Sequence, residues 1–305
     1  MSRSILFAAA VFAPAITYAS VFHNFSDVVV FGDSLSDPVN LLPPAFYPNG
    51  QVTNSDNWAV QLGFDDPTTN NFAVSGATAK TDGSGDFDEQ IDSFLGTGQT
   101  LGDSALAAVW FGGNDIGDAL FAGTGTGRID EAISAMASGL DRLAQVGFDQ
   151  AMVFLSPDVG DTPRVQAGGA AAAAAGTFLT FDYNSKLLGI GASLSEDLEI
   201  GFVNVPATTA AVLADPAAFG FSNVDDPCVA FDASGLPFFT PGCDLDTASS
   251  YLYYDPFHPS DTAHALLARA ATDVAADLAP VPLPAGALLL GTALFGFGFV
   301  ARRRT

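Results

Sequence analysis

The residues Phe31-Gly32-Asp33-Ser34-Leu35-Ser36-Asp37 follow directly on the apolar run Val28-Val29-Val30. A buried strand ending in Gly-Asp-Ser presents a serine hydroxyl at its carboxyl end, where a nucleophile can meet a substrate. A hydroxyl is inert until a base takes its proton, so Ser34 needs a partner. The chain has three histidines, His23, His258 and His264. His258 lies in Asp255-Pro256-Phe257-His258, where a carboxylate three residues earlier can hold the ring in one tautomer and stabilise its charged form. His264 falls inside a predicted helix and reads as structural. His23 stands at the start of the mature chain and is the weakest rival base. The chemistry expected of such a set is attack on an acyl carbonyl through a serine acyl-enzyme.

Positioning these groups requires a scaffold with strand ends close together. Strands are predicted over Asp27–Phe31, Asn71–Val74, Leu106–Phe111, Ala151–Leu155 and Glu199–Val205, each a short apolar run, as suits a parallel sheet covered on both faces. Helices are predicted over Asn54–Leu62, Phe87–Leu95, Ile129–Gln145, Ala170–Leu194 and Ser260–Asp277. Their alternation argues a doubly wound α/β sheet in one domain. Asp37 to Gly50 carries four prolines and reads as a loop near the serine. The alanine tract bounded by Gly168-Gly169 and Gly176 is expected to be a loop running into a helix. Asp215 to Tyr251, polar and rich in Gly and Pro, reads as a long insert.

Four segments fall at the carboxyl ends of strands or the start of a helix, where a doubly wound fold places its ligands. They are Gly32-Asp33-Ser34, Ser75-Gly76-Ala77-Thr78, Gly112-Gly113-Asn114-Asp115 and Asp255-Pro256-Phe257-His258. Their order resembles the GDSL, or SGNH, hydrolase family over about residues 26 to 270. The resemblance implies a three-layer α/β/α fold with a mostly parallel five-stranded, flavodoxin-like sheet. It implies Ser34 as nucleophile, Asp255 and His258 as the rest of the triad, and an oxyanion hole from the Ser34 N–H, the Gly76 N–H and the Asn114 amide. Glycine at 76 would let the backbone approach the substrate. The chain departs from many members at Ser36-Asp37-Pro38-Val39-Asn40, which lacks a glycine before the asparagine.

Asp33 is expected to brace the loop. Asp82, Asp86, Asp88 and Glu89 lack the glycine that an EF-hand loop requires and read as an acidic helix start, so no metal is expected. No cofactor is expected either.

The two ends differ from the middle. Met1 to Ala19 has Arg3, an apolar stretch and a small residue at its close, the pattern of a secretory signal peptide. Val281-Pro282-Leu283-Pro284-Ala285 precedes an uncharged stretch from Gly286 to Ala301 and then Arg302-Arg303-Arg304. This end resembles the PEP-CTERM sorting tail of diderm bacteria in its VPLPA form, and an ordinary C-terminal membrane anchor is the alternative. The expected division is a leader over 1–19, a hydrolase domain over 20–280 and a sorting or anchor segment over 281–305. The sorting tail implies an exosortase-like protease and the membrane as partners, with the protein exported to the cell surface or beyond. Between the ends, six basic residues face 34 acidic ones, a balance of −28, which excludes nucleic acid as a partner. Export permits a disulfide, and Cys228 and Cys243 bracket a Gly/Pro-rich stretch that one could staple. That stretch also looks like the secreted, lipase-like branch of the family, which includes autotransporter esterases and thermolabile-haemolysin-type lipases.

The expected function is an exported carboxylic ester hydrolase acting on lipid or short acyl esters. Deacetylation of exopolysaccharide and acyl transfer to an alcohol are the enzymatic alternatives. A non-catalytic surface or matrix protein on a hydrolase fold is the rival of another class.

Overall fold

The computed structural model describes residues 19–280, apart from 40–41, 81–82, 84 and 195–197. The expected leader, save its last residue, and the whole expected tail lie outside the described residues. Among the described residues no helix is long and apolar enough to cross a membrane.

Apolar runs with no polar face become the central sheet. Four parallel strands stand in the order β1 (Asp27–Gly32), β2 (Ala105–Trp110), β3 (Gln150–Phe154) and β4 (Glu199–Val203). Every residue of β2 is buried. The register places Val30 opposite Ala108, Ala108 opposite Met152 and Met152 opposite Gly201. Because side chains alternate across a strand, neighbouring rows feed opposite layers: Val30, Ala108 and Met152 enter one core, Phe31, Val109 and Val153 the other.

In chain order the helices are α1 (Ala19–Phe22), α2 (Trp58–Gln61), α3 (Phe87–Gly96), α4 (Gly113–Phe121), α5 (Thr126–Val146), α6 (Pro163–Gln166), α7 (Ala170–Leu194), α8 (Val205–Ala214) and α9 (Asp261–Leu278). Helices α3, α4, α5 and α7 cover one face of the sheet, while α1, α2 and α9 cover the other. The buried stripe Ile129, Ala132, Met136, Leu140 and Leu143 shows why α5 forms, since a spacing of three and four puts all five on one side. Phe31 anchors that layer, with the rings of Phe72, Phe87, Phe94 and Phe148 each 6.1 Å from its own. On the other face Trp110 stacks on Phe154 at 4.6 Å, and Trp58 lies 4.4 Å from the same ring.

The sheet has four strands rather than the expected five. The segment Asn71–Val74 does run beside β1: the Phe72 and Val74 N–H groups donate to the Val30 and Gly32 carbonyls at 2.8 and 3.0 Å. It forms a single parallel bridge, Val30 to Asn71. The Asn71 side chain explains this. Its oxygen accepts the Ala73 N–H at 3.1 Å, curling the chain, while its nitrogen donates to the Ser36 and Phe64 carbonyls. The segment still flanks β1 on the side away from β2. The strand order therefore reverses at β1, the switch point where a doubly wound sheet opens a crevice.

Two other expectations change in detail. The alanine tract belongs wholly to α7, which begins at Ala170. The insert before the last motif is a folded lobe with β5 (Asn223–Pro227) paired to β8 (Tyr251–Tyr253) and a hairpin of β6 (Val229–Phe231) and β7 (Pro237–Phe239). A disulfide joins Cys228 to Cys243 in this lobe. The bridge packs with Tyr47, Tyr251 and Tyr254 in a small separate core.

Candidate active site

Each of the predicted segments ends at the same rim of the sheet. Ser34 follows β1 directly. Gly32 closes that strand because a side chain there would strike the Trp110 carbonyl of β2, 2.9 Å from a Cβ. Gln90 of α3 clamps this strand end: its Oε1 accepts the Gly32 N–H at 2.8 Å, and its Nε2 donates to the Gly32 carbonyl at 2.7 Å. From the other layer the Trp58 indole donates to the Ser36 hydroxyl at 3.0 Å. The turn carrying Ser34 is thus fixed from both faces.

Ser34 Oγ lies 2.9 Å from His258 Nε2. His258 Nδ1 lies 2.9 Å from both carboxylate oxygens of Asp255, and Asp255 Oδ1 also accepts the Phe257 and His258 backbone N–H groups at 2.8 Å. Tyr47, from the proline-bearing loop, donates to Asp255 Oδ2 at 3.3 Å. Burial pushes the Asp255 carboxyl up, yet His258 and the surrounding N–H donors outweigh it and hold the group below the usual carboxylate value. For His258 burial works against the charged ring, but the adjacent Asp255 carboxylate prevails and its pKa is raised above 6.5. The structure brings Ser34, His258 and Asp255 into one hydrogen-bonded chain.

The oxyanion candidates converge on the same serine. Gly76 lies in a turn with φ +82°, in the left-handed region, and a Cβ there would meet no protein atom within 4 Å. The backbone angle, rather than crowding by neighbours, demands glycine at this point. Among the described residues neither the Ser34 nor the Gly76 N–H has a protein acceptor. Asn114, in the first turn of α4, spends one amide hydrogen on the Ala77 carbonyl at 2.9 Å, leaving the other free.

Three buried carboxylates hold this loop system, and two of them were not singled out from the sequence for that role. Asp37 accepts the Ser75 and Val39 N–H groups, both at 2.8 Å, tying the Gly76 turn to the serine loop. Asp115 accepts the Ala79 N–H at 2.8 Å just beyond the carbonyl that Asn114 holds. Asp33 braces the loop as expected, its Oδ1 accepting the Leu35 N–H at 3.0 Å. Burial raises all three carboxyls, Asp33 to about 7 and Asp115 to about 6.

His264 is fully buried in α9, and burial pushes its pKa down to about 3. It has no hydrogen-bond partner among the described residues and acts as a packed neutral ring. His23 is exposed ahead of β1, at the opposite end of the strands from Ser34. Asp86 caps α3 by accepting the Glu89 N–H, the acidic helix start that was expected. Among the described residues no group of three metal-ligating side chains gathers.

Two depressions meet at Ser34 and His258. One is an apolar slot lined by Leu35, Val205, Val212, Leu252, Phe257 and Leu267, with Asp33 and Asn114 also in its wall. Its volume is ≈ 70 Å³, against the ~10–15 Å³ that a single water requires. The other is an open cleft lined by Leu42, Gly76, Asn114, Asp118, Phe121 and Arg164. Arg164 was not foreseen. Its guanidinium stacks over the Phe121 ring at 4.8 Å, and its backbone N–H donates to the Pro256 carbonyl at 2.8 Å.

Comparison with known proteins agrees with this arrangement. The profile of the GDSL-like lipase/acylhydrolase family matches residues 28–271. The chain is 25% identical to "Lipase 1" of Photorhabdus luminescens over 88% of its own length, and spans 53% of that relative. It is 28% identical to a protein of Aeromonas hydrophila named phosphatidylcholine-sterol acyltransferase, over 74% of this chain and 72% of that one. The chain thus spans about half the length of the first of these relatives. A catalytic mutant of an acetylxylan esterase from Geobacillus stearothermophilus shares the fold, with a TM-score of 0.50, 14% identity, and coverage of 84% of this chain and 97% of that one.

Proposed function

The chain belongs to the family of GDSL-like lipases and acylhydrolases, and we propose that it hydrolyses carboxylic esters of fatty acids through a serine acyl-enzyme. The observation that carries this reading is the hydrogen-bonded chain Ser34–His258–Asp255, each link at 2.9 Å, beside N–H donors that have no protein acceptor among the described residues.

His258 Nε2 takes the proton from Ser34 Oγ as that oxygen bonds to the ester carbon. The carbonyl oxygen becomes an oxyanion, and the Ser34 N–H, Gly76 N–H and free Asn114 hydrogen are the donors that receive it. Collapse breaks the carbon–oxygen bond to the alcohol, which leaves with the proton from His258. Water then repeats the sequence on the acyl-enzyme, releasing the acid and restoring Ser34. Asp255 stays ionised throughout and stabilises the imidazolium.

The apolar slot supports a fatty acyl group, since an acetyl group would leave most of it empty. Acyl transfer is a second reading, favoured by the printed name of the Aeromonas relative, because it needs only an alcohol in place of water at the second step. Labelling with a fluorophosphonate probe tests the core of the proposal. Wild type is expected to be labelled and Ser34→Ala not; a folded wild type that resists the probe leaves the non-catalytic reading standing.

The remaining elements of the proposal concern place. We propose a leader over 1–19, a hydrolase domain over 20–280 and a sorting segment over 281–305 that an exosortase-like protease in the membrane recognises. The protein would then work at the cell surface or outside, as a member of the secreted, lipase-like branch. The motif Val281-Pro282-Leu283-Pro284-Ala285 with its apolar stretch and terminal arginines supports this. Cell fractionation with mass spectrometry of both termini tests it: an uncut chain in the cytosol would refute it.

A further inference from the structure

Helix α7 is apolar on two sides. Leu179, Tyr183, Leu187 and Ile190 face inward and belong to the core on that side of the sheet. The outward face carries a second stripe, Ala171, Ala174, Phe178, Phe181, Ser185 and Leu188, all exposed. Phe178 is 58% exposed and Phe181 71%, the latter the most exposed large apolar side chain among the described residues. From Ala170 to Ile190 no exposed position of the helix carries a charge, although residues 20–280 hold six basic side chains against 34 acidic ones. A helix that is apolar all round is ordinarily covered on both sides.

The outward stripe advances by alternate steps of three and four residues, a period of 3.5. That spacing makes a seam two side chains wide rather than a broad face. Asp182 and Lys186 border it, paired with each other at 2.7 Å, and Lys186 also pairs with Asp130 at 2.6 Å. A seam so narrow fits another helix. A helix lying in a lipid surface presents a wider apolar face, with cations along its polar one. Laid against a second copy running the opposite way, the seam sets Ala171 against Leu188, Ala174 against Ser185 and Phe178 against Phe181. Small side chains thus meet larger ones, and aromatic rings fill the centre, about the two-fold axis of an isologous contact. Two domains this acidic repel each other, so copies can approach only where charge is absent. The seam is uncharged over about 26 Å, at 1.5 Å per residue.

We infer that α7 is a homodimer interface, in which two copies pack their seams antiparallel at a crossing angle of about 20°. At about 200 Å² per phenylalanine ring, the exposed fractions of 58% and 71% leave roughly 260 Å² of aromatic surface per copy. That is about a third of the ~800 Å² each partner gives to a standard interface, and Leu188 with the smaller seam residues adds to it. The dimer is therefore small and reversible. The axis turns the second copy end for end, so the two Ser34 rims open in opposite directions.

Sedimentation equilibrium of the full chain is expected to show a dimer with a Kd on the order of 10 µM. Phe181→Asp should raise that Kd by roughly 30-fold or more, the effect of a hot-spot side chain, with an unchanged far-UV circular dichroism spectrum. Phe231→Asp, at an exposed apolar position of the β6–β7 hairpin, should leave it as in wild type. No cysteine is free among the described residues, so introduced thiols report cleanly. Ala174→Cys combined with Ser185→Cys should give a covalent dimer on oxidation, and either change alone should not. A wild type still monomeric at about 20 times the expected Kd overturns the inference. So does a monomer that binds dioleoylphosphatidylcholine vesicles through Phe181, which would make lipid the occupant. A dimer that Phe181→Asp leaves intact, or one that Ala174→Cys alone cross-links, also overturns it, since the contact would then lie elsewhere or run parallel.

Discussion

The two depressions that meet at Ser34 are built from opposite materials. The slot is walled by Leu35, Val205, Val212, Leu252 and Leu267, drawn from the serine loop, α8, β8 and α9. The cleft is open, with Gly76, Asp118 and Arg164 along it. Apolar walls gain by excluding water and hold any chain of the right width, with little regard to its identity. A cleft with an arginine and an aspartate on its wall can discriminate by charge and geometry. For the ester hydrolysis proposed above, the difference would let the slot sort the acid half by length and the cleft sort the alcohol half by chemistry, with shared machinery between.

Substitutions in the shared part should leave the two halves equally affected. His258→Ala should lower kcat by about 10⁶-fold, the loss typical of a triad member, on every ester alike and without unfolding; retained activity on either class would break the triad assignment. Asn114→Ala removes one oxyanion donor and should cost about 10²–10³-fold in kcat, again for short and long acyl groups together. Substitution in one half should separate them. Thr209→Phe, in the slot wall, displaces two or three methylenes at ~0.8 kcal/mol each. Activity on p-nitrophenyl octanoate should fall roughly 30-fold relative to acetate, and an equal loss on both would show that the acyl chain lies elsewhere.

A further effect, on the response to pH, concerns Asp33 in the slot wall. Its folded pKa of about 7 exceeds the ordinary 3.8, so the folded state holds the proton more tightly. Stability should therefore fall as pH rises from about 4 to about 7, and Asp33→Asn should remove that slope, worth on the order of a few kcal/mol at about 1.4 kcal/mol per unit. The Asp33 charge also helps raise His258. The acidic limb of kcat/KM should thus lie above pH 6.5 in wild type and move down in the variant. Urea titrations across this range and a pH–rate profile check both parts.

The parts of the chemistry were easy to locate because each motif is local. Ser34 follows an apolar strand and Asp255 lies three residues before His258, while the order of the segments, through the family they resemble, joined motifs 224 positions apart. The supports were hidden because they act across the fold. Tyr47 reaches Asp255 over 208 positions, and Gln90 reaches Gly32 over 58. An aspartate such as Asp37 or Asp115 reads in sequence as a turn residue; only burial against an N–H from another loop gives it its role. The strand expected at Asn71–Val74 failed for a local reason, since one asparagine amide outcompeted the ladder. Arg164 was hidden for the same reason, since its contacts, the Phe121 ring and the Pro256 carbonyl, come from distant parts of the chain.

The serine and its base are 224 positions apart. At a synthesis rate of about 5–20 residues per second, roughly 10 to 45 seconds separate their emergence from the ribosome. During that interval the nascent chain carries Ser34 without the base proposed for it, and the pair can meet only when nearly the whole domain has been made and folded. In the proposed ester hydrolysis, the order of synthesis itself would then keep the site unassembled while the chain is being built.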